Sequence, residues 1–166
     1  FEWVHNQSNS VVVADLNGDK KLDLAVQDRS AGAVSVSLGA GTRQLGAMAS
    51  YSIGGVAVAA GDLNGDGHMD LATADPASAH ACVVLGDGTG DFGAATCMPS
   101  GGYSTGIAID RFNNADGSLD LAVANMNENK AAILLNTCAG PPVDVRATSI
   151  EVTQIVQDLA NSVMLV

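Results

Sequence analysis

Aromatic side chains are scarce: three Phe, two Tyr and one Trp make up 4% of 166 residues. A core without rings must be filled by Val, Ala and Leu, which suits thin, closely packed strands, and a hydrophobic fraction of 47% is enough for one ordinary domain with a real core. Basic residues are also few, seven Lys plus Arg against eighteen Asp plus Glu, and none cluster into a patch. A net charge of −11 with so little positive charge argues against a phosphate backbone as partner, and no nucleic-acid role is expected. No uncharged apolar run reaches about eighteen residues, so no membrane span is expected, and no signal or transit peptide is legible. A removed secretion signal would leave no trace in a chain that begins at Phe1.

What the chain does have is Asp, Asn and Gly in a fixed order. Asp62-Leu63-Asn64-Gly65-Asp66-Gly67-His68-Met69-Asp70 precedes the apolar run Leu71-Ala72-Thr73-Ala74, and Asp15-Leu16-Asn17-Gly18-Asp19-Lys20-Lys21-Leu22-Asp23 precedes Leu24-Ala25-Val26. A looser version runs from Asp110 to Asp120 before Leu121-Ala122-Val123. The first aspartates lie 47 and 48 residues apart, a tandem repeat the size of one small supersecondary unit. Oxygen side chains at loop positions 1, 3, 5 and 9, with glycine where the backbone bends, are the donor set of a hard divalent cation that takes six to eight oxygens. Asp and Asn also make ordinary turns through backbone hydrogen bonds. Turn chemistry alone does not explain four matched oxygen positions recurring at one period, so calcium is the expected ion. An EF-hand is excluded, because position 12 is Val26 or Thr73 instead of Glu and the flanks are strand-like.

Asp-x-Asn-x-Asp-Gly-x-x-Asp-Leu-Ala after an alternating strand such as Val11-Val12-Val13-Ala14, together with the hairpin Asp87-Gly88-Thr89-Gly90-Asp91-Phe92-Gly93, resembles the FG-GAP or VCBS repeat, the blade of integrin-alpha-type β-propellers. The resemblance covers about residues 1–138. It implies an all-β fold of tandem four-stranded antiparallel blades, three repeats in number, with structural calcium. The implied ligands are Asp15, Asn17, Asp19 and Asp23 with the Lys21 carbonyl, and Asp62, Asn64, Asp66 and Asp70 with the His68 carbonyl. In the third loop they are Asp110, Asn114, Asp116, Ser118 and Asp120. That loop carries two extra residues, leaves the choice of asparagine ambiguous and brings Arg111 close to the ion, so a weaker site is expected.

The repeats divide as about 1–48, 49–96 and 97–138, followed by a linker over 139–142 and a β extension, or the start of a further domain, over 143–166. Four strands per repeat are expected, beginning with Phe1-Glu2-Trp3-Val4; the third repeat stops one strand short. The extension is too short to bury its own apolar face and must pack on the repeats, on a following domain or on another copy. Cys82 and Cys97 flank the Thr89-Gly90 hairpin symmetrically, so a cross-strand disulfide is expected, the alternative being two small buried hydrophobes. Cys138 is then free, bound outside the chain or competing for Cys97.

Gly102-Tyr103-Ser104-Thr105-Gly106 matches a nucleophile-elbow pattern but leads into a strand, not a helix. Gly88 to Gly93 matches a dinucleotide pattern yet sits at a hairpin tip flanked by acids. His5, His68 and His80 have no zinc spacing. Trp3, Tyr51 and Tyr103 read as packing residues before a sugar platform, and Asn6-Gln7-Ser8 as a polar turn before a glycosylation site. The expectation is a calcium-binding, non-enzymatic adhesion or structural repeat protein, secreted or at the cell surface. Its alternatives are a self-assembling fibre subunit that uses strand addition or blade stacking, and a carbohydrate-binding accessory module of a secreted hydrolase.

Overall fold

A computed structural model of the protein describes residues 7–42, 44–112 and 117–136, and residues 151–156 for their backbone alone. The strands are β1 (Ser8–Ala14), β2 (Asp23–Asp28), β3 (Ala33–Gly39), β4 (Leu45–Tyr51), β5 (Ala57–Gly61), β6 (Asp70–Asp75), β7 (His80–Val84), β8 (Thr96–Pro99), β9 (Ser104–Asp110), β10 (Asp120–Asn125), β11 (Lys130–Leu135) and β12 (Glu151–Val156). They form three four-stranded sheets in chain order, β1 to β4, β5 to β8 and β9 to β12, with every pairing antiparallel. A single 3-10 turn at Met126–Glu128 is the one helical element among the described residues.

The sheets stack face to face, and the period-2 alternation of each strand decides which neighbour a side chain meets. Leu71, Cys82 and Val84 of the second sheet join Leu16, Ala25, Val34, Val36 and Ile53 of the first. Their sequence neighbours Ala72, Ala74, Ala81 and Val83 point the other way, onto Leu121, Val123, Ala132 and Leu134 of the third. The second sheet is therefore covered on both faces. This is why β6 and β7 read as continuous apolar runs where a half-exposed strand would alternate. The first strands of the sheets are neighbours, β1 touching β5 and β5 touching β9, and the Val58 N–H donates to Ser10 Oγ at 3.2 Å. These are β-propeller blades, with β1, β5 and β9 innermost.

The Asp87 to Gly93 hairpin clips the second blade to the first. Phe92 meets Tyr51 edge to face at 5.2 Å between ring centres, and Tyr51 Oη bonds Asp91 Oδ1 at 2.8 Å and the Gly90 carbonyl at 3.2 Å. Burial, reinforced by the Asp91 carboxylate, pushes the Tyr51 phenol up to about 12, so it remains a donor. The pattern that resembled a dinucleotide loop is thus a contact between blades. The other pattern is equally structural: Ser104 is fully buried, bonded to Ser100 Oγ at 2.9 Å and Asn125 Oδ1 at 3.0 Å.

Cys82 and Cys97 lie directly opposite on β7 and β8 and form a disulfide; Cys138 lies outside the described residues. Two boundaries differ from the sequence reading. Hydrogen bonding carries the first sheet to Tyr51 and the second to Pro99, a few residues beyond 48 and 96. The third sheet does not lack its fourth strand either, since Glu151–Val156 of the extension pairs with β11 in the same chain. The expected strand at Phe1–Val4, with Trp3, His5 and Asn6, falls outside the described residues.

Two phenylalanines test this packing. Phe92→Ala removes the ring that joins two blades and is expected to cost about 2–3 kcal/mol, lowering the thermal midpoint by roughly 5–10 °C. Phe112→Ala removes a ring that is 44% exposed and should stay within about 0.5 kcal/mol. Thermal melts that rank the two the other way would contradict the interface described.

Candidate metal centre

Each Asp-rich loop joins the innermost strand of a blade to the next strand, and its first job is to curl. In the first loop, Asp15 accepts the Asp19 and Lys20 amides at 3.1 and 2.7 Å, and Asn17 Oδ1 shares the Asp19 N–H at 3.1 Å. In the second, Asp62 accepts the Gly65, Asp66 and Gly67 amides at 2.8, 3.1 and 2.9 Å, and Asn64 Oδ1 shares the Asp66 N–H at 3.0 Å. The curl needs left-handed backbone at positions 4 and 6: φ is 75° at Gly18 and 65° at Lys20, 76° at Gly65 and 88° at Gly67. Asp19 and Asp66 accept the amides of Lys21 and His68. The Lys21 ammonium also reaches Asp19 at 2.9 Å, holding that carboxyl below its usual range while its own pKa is raised.

The aspartate that closes each loop behaves differently. Asp23, Asp70 and Asp120 are buried, with 0–1% exposure. Asp23 accepts the Leu16 amide on one oxygen and the Gly39 amide on the other, both at 2.7 Å. Asp70 accepts Leu63 at 2.8 Å and Gly86 at 2.9 Å, and Asp120 accepts Phe112 and Asn136, both at 2.9 Å. Three times, then, one carboxylate fastens the second residue of the loop to the end of the blade's third strand. The approach is close: a Cβ on Gly39 would stand 2.1 Å from the Leu22 carbonyl oxygen, and one on Gly86 would stand 2.2 Å from that of Met69.

For loops one and two, the carboxylate and amide oxygens at positions 1, 3 and 5 fit a hard cation by chemistry, and those at 1 and 3 already converge on one amide. Among the described residues, however, no three Asp, Glu, His or Cys side chains form a metal cluster, and the ninth-position carboxylates of these two loops bond backbone amides. The His68 ring lies exposed against Gly88. In the third loop, Asn114 and Asp116 fall outside the described residues. Asp110 differs from expectation: it pairs with Asp120 as Ala14 pairs with Asp23 and Gly61 with Asp70, so it ends a strand and Arg111 stands at position 1. Ser118 Oγ donates to the Asn136 carbonyl at 2.9 Å.

A family profile described as an FG-GAP-like repeat matches residues 15–73, and one described as an FG-GAP repeat matches residues 54–96. Residues 15–96 are FG-GAP repeats. No curated protein gives a significant match. FG-GAP repeats are an extracellular, adhesion-type module, are found in cell-surface proteins and are typically non-enzymatic. No helix among the described residues is long and apolar enough to cross a membrane. The matched segments contain both complete loops, and the third loop lies beyond them. Sequence reasoning missed the backbone role of Asp23, Asp70 and Asp120, because a ligand and a backbone acceptor share one letter.

Burial raises the Asp70 carboxyl to about 6 from 3.8, with the Asp66 charge adding to the rise and the Gly86 and Leu63 amides opposing it. A carboxyl raised on folding contributes stability that is complete below about pH 4 and lost as pH rises through about 6. In chelator, the stability of the wild-type chain relative to Asp70→Asn is therefore expected to fall between pH 4 and pH 6. Urea midpoints that run parallel over that range would contradict the burial effect.

Proposed function

We propose that this FG-GAP chain is a calcium-stabilised, non-enzymatic adhesion repeat module that works outside the cell, with ions at the Asp15 to Asp23 and Asp62 to Asp70 loops. The observation that carries the reading is the convergence of Asp15 and Asn17, and of Asp62 and Asn64, on one amide inside loops already curled by left-handed residues. A bound cation would supply positive charge to carboxylates that otherwise repel one another. Asp15, Asn17, Asp19, Asp62, Asn64 and Asp66 would hold it, with the Lys21 and His68 carbonyls as further donors. Folding and ion binding would then be linked.

A cavity of about 510 Å³ lies at the other end of the inner strands, lined by Ser8, Asn9, Arg29, Val56, Pro76, Tyr103 and Thr105. Its mix of one cation, one ring and several hydroxyl and amide groups supports a polar ligand, the carbohydrate-binding alternative included. A second reading, assembly by blade stacking, draws support from Val11 and Val13, which are 58% and 54% exposed. Their counterparts by register, Val58 with Ala60 and Ile107 with Ile109, are covered by a neighbouring blade.

Calorimetric titration with calcium tests the main reading. The wild-type chain is expected to take up two ions, and Asp66→Ala one. Asp66→Ala should also melt several degrees lower in millimolar calcium, with the gap narrowing in chelator. Equal ion counts and equal melting in calcium would contradict the assignment.

A further inference from the structure

At position 1 the third loop carries the opposite charge. Its alignment rests on two independent observations, the strand register that sets Asp110 beside Ala14 and Gly61, and the clamp amide, which comes from Leu16, Leu63 and Phe112 in turn. Both put Arg111 where Asp15 and Asp62 stand. A third agreement comes from the far side of the loop: Lys20, Gly67 and Gly117, each three residues before the clamp aspartate, all have positive φ, at 65°, 88° and 80°.

In loops one and two, the position-1 carboxylate accepts the N–H of this left-handed residue, from Lys20 at 2.7 Å and from Gly67 at 2.9 Å. In the third loop, the same two positions are joined the other way round, with Arg111 Nε donating to the Gly117 carbonyl oxygen at 2.9 Å. A guanidinium has five donors and no acceptor, and it keeps its charge at any pH the fold survives. It cannot serve as an oxygen ligand, and a divalent ion beside it would meet like charge. Asp110, the carboxylate nearest in sequence, accepts the Arg111 amide at 2.7 Å from its place at the strand end.

We propose that Arg111 is a built-in cation that takes the place of calcium in the third blade, closing its loop permanently and making that blade independent of the ion. The clamp aspartate is retained at Asp120, one residue further along, so the blade keeps its frame while position 1 changes sign. Two blades would then respond to calcium and one would not. The proposal draws on the calcium reading only for the ion count of the other two loops.

Three variants test it by calcium titration and by melting with and without chelator. Asp110→Asn is expected to leave the ion count at two. Arg111→Gln should lower the midpoint by roughly 2–4 °C equally in calcium and in chelator, which separates it from the calcium-dependent loss at Asp66. Arg111→Asp, which restores an acid to position 1, should raise the count to three. A wild-type chain that binds three ions, a count reduced by Asp110→Asn, or an Arg111→Gln loss confined to one condition would overturn it. A chain that binds no calcium at all would defeat the reading of the first two loops, and an Arg111→Gln midpoint equal to that of the wild type would then overturn this one.

Discussion

A carboxylate with almost no solvent exposure stands at the start of the second strand of each blade and spends both oxygens on backbone amides, one from the preceding loop and one from the end of the third strand. Removing a charge from water costs several kcal/mol, and it is tolerated only where hydrogen bonds to the charged form replace the lost solvent. Here the amides stand at 2.7 to 2.9 Å, and at Asp70 they offset part of that cost. The bond to the loop fixes the residue at position 2, and in the first two blades that residue is part of the stack. Leu16 is sealed between the first two blades and Leu63 between the second and third. Loop shape and blade packing are therefore one problem, solved by one aspartate per repeat.

The loops vary upon that frame. Positions 1, 3 and 5 can be oxygens gathered around inward amides, as in the first two blades, or position 1 can be a guanidinium aimed at a carbonyl, as in the third. Both arrangements draw the same two points of the loop together. Lys21 on Asp19 lies between these extremes, an exposed ammonium paired with an acid of the calcium-type loop. Asn136 adds a link of its own, donating its side-chain amide to the Leu63 and Leu119 carbonyls and so tying the third blade to the second loop. A module assembled this way holds its blades through apolar faces and buried acids, and leaves the side chains at positions 1, 3 and 5 of the first two loops only partly covered.

Much of this was legible in the residues. The 47- and 48-residue spacing marked three repeats, the apolar runs after each loop marked β2, β6 and β10, and the symmetry about Thr89 and Gly90 placed Cys82 opposite Cys97. Three things were hidden, each for a physical reason. An aspartate that binds backbone and one that binds metal satisfy the same pattern. Asp110 begins the third loop by spelling, yet the pleat of β9 and β10 assigns it to the strand and shifts the loop by one residue. The fourth strand of the third sheet lies beyond Pro141 and Pro142, and its continuity with β11 is a matter of pairing that no local composition reveals.

Amide hydrogen exchange, followed residue by residue in calcium and in chelator, tests the central claim most directly. The account predicts that the clamp amides of Leu16, Gly39, Leu63, Gly86, Phe112 and Asn136 stay protected to the same degree in both conditions, while the amides of Asp19 to Lys21 and Asp66 to His68 slow only when calcium is present. Clamp amides that exchange freely in chelator would contradict it, because the ion and not the buried aspartate would then be holding the blades.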